Sequence, residues 1–213
     1  MTEPLDSALR EQGLAPDAVV LAPPPAPGAP APPADTWSIV PFGEQFVVGE
    51  TGRGAFRAYE TLWTLEDAVA LAVRLASSPL PPLGRRLEAS EVEAGARTAA
   101  GVVARTEERG GAAGPTGLLP GDLLDAYGAE TEHHLFALGT PFDQRSEPPS
   151  RVGSPYFAFV VAQELPDAVM EGRAAPWFEQ PGGGAMVVLD RPIRWYVDQA
   201  VLVPLDLGRD VRA

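Results

Sequence analysis

Tyr156-Phe157-Ala158-Phe159-Val160-Val161 is a run of aromatic and β-branched residues. Such side chains fit a pleated, half-buried surface, and the run reads as a strand. Met186-Val187-Val188-Leu189 reads as a second strand and Val201-Leu202-Val203-Pro204-Leu205 as a third. Between these two, Pro192-Ile193-Arg194-Trp195-Tyr196-Val197-Asp198-Gln199-Ala200 reads as a helix. Upstream, Leu118-Leu119-Pro120-Gly121-Asp122-Leu123-Leu124-Asp125-Ala126-Tyr127-Gly128 reads as a turn into a short helix, with Gly128 as its C-cap. Strands and helices mix without the alternation of βαβ units, so the expected fold class is α+β. This unit is expected to span residues 118–207, with a short helix near each end.

A smaller unit is expected over residues 36–78. Trp37-Ser38-Ile39-Val40 and Gln45-Phe46-Val47-Val48 are strand-like, with Phe42-Gly43-Glu44 as a turn between them. Gly49-Glu50-Thr51-Gly52-Arg53-Gly54 gives a second turn, and Ala55-Phe56-Arg57-Ala58-Tyr59 alternates as a half-buried strand should. Thr64 is placed to cap a helix whose residues Leu65, Ala68, Val69, Ala72 and Leu75 share one face. Three strands and a helix make a unit that is marginal alone.

Two stretches carry less. Residues 1–35 are expected to be a disordered, Pro-rich N-terminus, with one short helical segment near Asp6–Gln12 ended by Gly13. Seven of the eleven residues from Pro23 to Pro33 are Pro, a polyproline II spacer rather than an SH3-type ligand, since no basic residue flanks it. Residues 79–117 read as a linker or mobile helix, because the apolar positions of Glu88–Glu108 are mostly Ala and Val.

The formal charge is −13, from 16 basic and 29 acidic residues, and every basic residue is Arg. Nucleic acid and anionic membrane surfaces are therefore poor partners, since both need a positive face. There is no Cys, which excludes disulfides, thiolate metal sites and thiol nucleophiles. No apolar run reaches the roughly 18 residues of a membrane span. The acidic start, Met1-Thr2-Glu3-Pro4-Leu5-Asp6, lacks a signal pattern, so synthesis in the cytoplasm is expected, with export by a non-standard route left open.

Candidate chemistry sits in two segments. In Gly139-Thr140-Pro141-Phe142-Asp143-Gln144-Arg145-Ser146-Glu147-Pro148-Pro149, three prolines bracket one Arg. A pre-ordered guanidinium suits a phosphate through two parallel hydrogen bonds; alternatively Arg145 pairs with Asp143, Glu147 or another acid as a structural bridge. In Pro176-Trp177-Phe178-Glu179-Gln180-Pro181-Gly182-Gly183-Gly184, consecutive glycines allow a close backbone approach, and Gln180 can donate and accept at once. Trp177 and Phe178 offer ring surface, or Trp177 plugs the core of a tight loop. His133 and His134 are adjacent, so their side chains diverge and cannot easily share a metal; they read as a surface loop or strand pair, and no metal site is expected.

These words resemble the tuberculosis necrotizing toxin domain family of NAD+ glycohydrolases. The resemblance rests on Gly139-Thr140-Pro141-Phe142, Arg145-Ser146, Pro148-Pro149, Pro155-Tyr156, and Ala175-Pro176-Trp177-Phe178 followed by Gln180-Pro181-Gly182-Gly183-Gly184. It covers about residues 118–206, and the 36–78 unit resembles an accessory segment found upstream of such domains. The resemblance implies a compact, mostly β fold, and cleavage of NAD+ into nicotinamide and ADP-ribose. It implies NAD+ as substrate with no resident cofactor, and an immunity or inhibitor protein as a partner. It implies Gln180 and Arg145 as catalytic residues, with Tyr127, Thr140, Phe142, Ser146, Tyr156, Phe178, Glu179, Gly182 and Gly183 around the substrate. The chain departs from the family at Ala126, where an Arg is usual, at Phe157, where toxin members have His, and at Glu179, where Gly is usual. Those departures leave a second reading open: a degenerate, non-catalytic module that binds NAD+, ADP-ribose or a protein.

Overall fold

The computed structural model describes residues 3–24, 32–52 and 55–206. Most of the proline run (25–31), Arg53-Gly54 of the second turn, and Leu207 at the end of the expected domain lie outside the described residues. The architecture is α+β, as expected, and divides into two compact units. One contains residues 1–80 together with 129–133 and 191–195; the other contains 81–128, 134–190 and 196–213.

In the first unit the strands β1 (Val19–Leu21), β2 (Trp37–Phe42), β3 (Gln45–Gly52) and β4 (Ala55–Leu62) form one sheet in that order. β1 runs parallel to β2, and the other pairs are antiparallel. Helices α1 (Glu3–Glu11) and α2 (Leu65–Ser77) supply apolar faces to the core with Trp37, Ile39, Val48 and Tyr59. The Thr64 cap forms as expected, its side chain accepting from the Asp67 amide at 3.1 Å. Within the expected disordered N-terminus, Glu3–Glu11 forms a helix and Val19–Leu21 a strand. α1 is too short to persist alone, but Leu5 and Leu9 are one turn apart and both buried in the core. Burying each contributes about 1.5–3 kcal/mol.

The second unit is built on a seven-stranded sheet in the order β11-β8-β6-β7-β10-β9-β5. In chain order its strands are β5 (Gly114–Pro115), β6 (Leu123–Tyr127), β7 (His134–Ala137), β8 (Tyr156–Val161), β9 (Met170–Arg173), β10 (Ala185–Val188) and β11 (Leu202–Pro204), all pairing antiparallel. The expected helix at Leu118–Gly128 instead holds β6, an inner strand of the sheet. Leu123, Leu124, Asp125 and Ala126 are all buried, so the alternation that marks a half-exposed strand is absent. Helix α4 (Ile193–Asp198) falls where expected. No described helix is long and apolar enough to cross a membrane.

Glu88–Glu108, expected as a linker or mobile helix, is mostly helix α3 (Ala89–Glu108), and it lies against β6, β7, β9 and β10. Its buried face is Gly95, Thr98, Val102 and Thr106. Small residues are what let it approach: a Cβ on Gly95 would sit 2.1 Å from the Leu138 carbonyl oxygen. Polar contacts replace the missing apolar bulk. Thr98 donates to Asp122 at 2.9 Å and accepts from the Leu123 amide at 3.2 Å. The buried Glu171 of β9 accepts from Arg105 (2.7 and 2.8 Å), Arg109 (3.1 Å), Thr116 (3.2 Å) and the Gly117 amide (3.0 Å).

Burial alone would raise the Glu171 pKa, but Arg105, Gly117 and Arg109 outweigh it and hold the carboxyl below its ordinary value. A lowered folded-state pKa stabilises above the unfolded value and is lost as pH falls through the folded one. Glu171→Gln is expected to cost about 1.5–3 kcal/mol at pH 7, the worth of a charge-assisted hydrogen bond, because its arginines are part-exposed and can be rehydrated. The gap in melting temperature between wild type and variant should narrow as pH drops below about 4.5. A gap that is constant from pH 7 to pH 3 would contradict this.

Candidate functional site

Two loops of the second unit meet edge to edge. The first follows β7 and contains the 3₁₀ turns Phe142–Gln144 and Pro149–Arg151. The second joins β9 to β10. The Gly184 amide donates to the Gln144 carbonyl at 2.9 Å, and the Gly182 amide to the Asp143 carbonyl at 3.3 Å. Gln180 Nε2 donates to the Glu147 carbonyl at 2.7 Å. The glycines make the contact: a Cβ on Gly184 would lie 2.7 Å from both the Gln144 oxygen and the Thr140 methyl, and one on Gly182 would lie 2.6 Å from the Ala174 oxygen.

Backbone strain gathers here. Five described non-glycine residues have positive φ, and three of them lie in these loops: Ser146 (55°), Phe178 (51°) and Glu179 (60°). Each costs on the order of 1–3 kcal/mol, and such strain persists only where the surroundings impose it. Glu179 occupies the position where the family usually has Gly, the residue suited to that conformation. Two polar atoms are also left over. Ser146 Oγ and Gln180 Oε1 are buried and have no hydrogen-bond partner among the described residues.

Beneath the first loop lies a fully buried ion pair. Arg145 is 1% exposed. Its Nη1 lies 2.6 Å from Asp125 Oδ1, its Nη2 donates to Asp125 Oδ2 at 2.8 Å, and its Nε donates to the Thr140 carbonyl at 2.9 Å. The guanidinium sits between the Tyr127 ring (4.9 Å) and the Phe136 ring (4.8 Å). Burial opposes its charge, but Asp125 outweighs burial and raises the pKa further. Asp125 Oδ2 also accepts from the Gly139 amide (2.8 Å) and the Tyr156 hydroxyl (2.6 Å). Burial, then the Asp125 charge, push the Tyr156 phenol well above its ordinary pKa, so it stays a neutral donor.

Of the two expectations for Arg145, this geometry matches the structural bridge: its fork is turned to Asp125 and the Thr140 carbonyl. The acid is neither Asp143 nor Glu147 but another, Asp125, which the sequence reading leaves unnamed. The signal was present: a lone acid inside Leu123-Leu124-Asp125-Ala126-Tyr127 can be buried only with a cation. Trp177 is corrected too, being 56% exposed and not a core plug.

The remaining expected residues cluster on the same loops and strand ends. Tyr127 contacts Phe142 (centroids 5.8 Å apart) and Tyr156 (4.9 Å). The Thr140 hydroxyl donates to the Ala137 carbonyl at 2.6 Å. Phe178 stacks on Trp177, and the Gly183 carbonyl accepts from Arg173 at 3.0 Å.

The two losses from the family pattern lie elsewhere. Ala126 and Phe157 are register partners across β6 and β8, and both are buried. Because side chains alternate along a strand, they face away from Asp125, Tyr127 and Tyr156. Their identity therefore takes no donor from the Asp125 cluster.

Of the two histidines, His133 departs from the expected surface position while His134 lies in a strand. His133 is buried, with Nδ1 2.9 Å from Glu50 Oε1 inside the first unit, and His134 opens β7. Glu132, His133 and His134 each bring one potential ligand atom within 4.8 Å of the others, closer than divergent neighbours were expected to come.

A family model described as tuberculosis necrotizing toxin matches residues 117–205. A curated relative is the conidial surface nicotinamide adenine dinucleotide glycohydrolase nadA of Aspergillus fumigatus, 35% identical over 111 residues, covering 47% of this chain and 45% of that protein. A solved structure, tuberculosis necrotizing toxin complexed with its immunity factor, is 24% identical with a TM-score of 0.34, covering 38% of this chain and 47% of that chain. The chain thus spans under half the length of either relative. Both strained loops lie inside the toxin-family match.

Proposed function

We propose that the second unit cleaves the nicotinamide–ribose bond of NAD+ to give nicotinamide and ADP-ribose. The observation that carries this is the Gln180 carboxamide, held by its amide nitrogen to the first loop while its buried oxygen stays unpartnered. Support comes from the strain at Ser146, Phe178 and Glu179 and from likeness to a curated NAD glycohydrolase.

Cleavage sends the bonding pair to the pyridinium nitrogen, which leaves as neutral nicotinamide. Water adds to C1′ of the ribose and its second proton passes to solvent. A neutral leaving group needs no general acid, and the reaction as proposed uses no resident cofactor. The transition state is oxocarbenium-like, as in glycoside cleavage, so a carboxamide oxygen aimed at the ribose can stabilise it by position and dipole. In this reading Arg145, Asp125 and Tyr156 form the rigid floor beneath the loop.

The test is direct. Purified full chain incubated with NAD+ should release nicotinamide and ADP-ribose in equal amounts. Release no greater than a buffer blank would overturn the catalytic reading, and ADP-ribose binding without turnover would favour the degenerate module.

A further inference from the structure

We propose that the stacked Trp177–Phe178 pair is the surface on which the departing pyridinium ring lies, an inference that rests on NAD+ being the substrate. The two rings are 4.3 Å apart between centroids and 26° from parallel. They stay in contact with solvent, Trp177 at 56% and Phe178 at 36% exposure. A stacked aromatic pair gains by burial, yet this one is held outward by a turn whose two central residues, Phe178 and Glu179, both have positive φ. The Gln180 amide closes that turn on the Trp177 carbonyl at 2.9 Å, so the platform lies within one turn of the reacting carboxamide.

Charge selects which ring fits. An indole face attracts a cation, and the acidic Glu179 at the turn tip favours one over a phosphate-bearing group. The nicotinamide ring of NAD+ is cationic until the glycosidic bond breaks and neutral afterwards. The platform therefore holds the substrate's ring and releases the product's. Because the attraction fades as charge moves to the ribose, it strengthens ground-state binding more than the transition state.

Two small probes isolate the effect: 1-methylnicotinamide, a fixed cation, and nicotinamide, its neutral counterpart. Calorimetric titration of the full chain should show the cation binding about two- to five-fold more tightly, the size of an exposed cation–π contact. Trp177→Ala should erase that preference, and Trp177→Phe should keep part of it. With NAD+, Trp177→Ala should raise KM and leave kcat undiminished. Equal binding of the two probes, no binding of either, a preference that survives in Trp177→Ala, or a fall in kcat at constant KM would each overturn the proposal. If the Trp177-dependent preference holds but NAD+ is not cleaved, only the catalytic reading fails. If NAD+ is cleaved without that preference, only this inference fails.

Discussion

Asp125→Ala should destabilise the second unit by about 3–5 kcal/mol, the penalty for leaving a buried charge without its partner. Arg145 is 1% exposed. The same change strips an acceptor from the Gly139 amide and the Tyr156 hydroxyl. Arg145→Met should cost a comparable amount by stranding the carboxylate. The double variant Asp125→Ala/Arg145→Met should be more stable than either single one, since removing both charges removes the desolvation penalty of each. Thermal unfolding of the four proteins measures this. Additive losses in the double variant would mean that the two side chains act separately. If Arg145 instead gripped substrate, Arg145→Met would abolish binding of ADP-ribose while leaving the melting temperature near wild type.

Gln180→Ala should lower kcat for nicotinamide release by about 100- to 1000-fold, the range seen when one preorganised polar group aimed at developing charge is removed. The fold should survive, because the side chain is half-buried and makes one hydrogen bond, to the Glu147 carbonyl. A melting temperature within a few degrees of wild type would accompany the loss. A variant with near-normal turnover would remove Gln180 from the chemistry, whatever the fate of the other residues.

Legibility in the sequence followed exposure. The first unit was readable because Ala55–Tyr59 alternates and Thr64 announces its helix. β6 was misread because Leu123-Leu124-Asp125-Ala126 is buried on both faces, which erases the period that distinguishes a strand from a helix. β9 contains Glu171 and Gly172, poor strand formers, and owes its place to pairing with β10 and to the Arg105 and Arg109 contacts. α3 was readable as a helix but not as a docked one, since its contact face is small and its anchors are ion pairs with a strand more than 60 residues away. At the site, Pro and Gly punctuation marked both loops. The buried partner of Arg145 is hard to read because Asp125 is 20 residues upstream, on a strand whose pattern reads as a helix.

No single cut of the polypeptide separates the two halves. Residues 129–133 and 191–195 lie inside the toxin-family match by sequence, yet they fold with the N-terminal portion. His133 pairs there with Glu50, Arg191 donates to the Tyr59 carbonyl, and Arg194 to the Ser78 carbonyl. A truncated fragment starting near residue 117 would keep these three side chains and lose Glu50, Tyr59 and Ser78, while Arg194 would retain its pairing with Glu130. The first eighty residues thus complete the surroundings of two internal stretches of the toxin-like segment, and trimming them away would leave the buried His133 without Glu50.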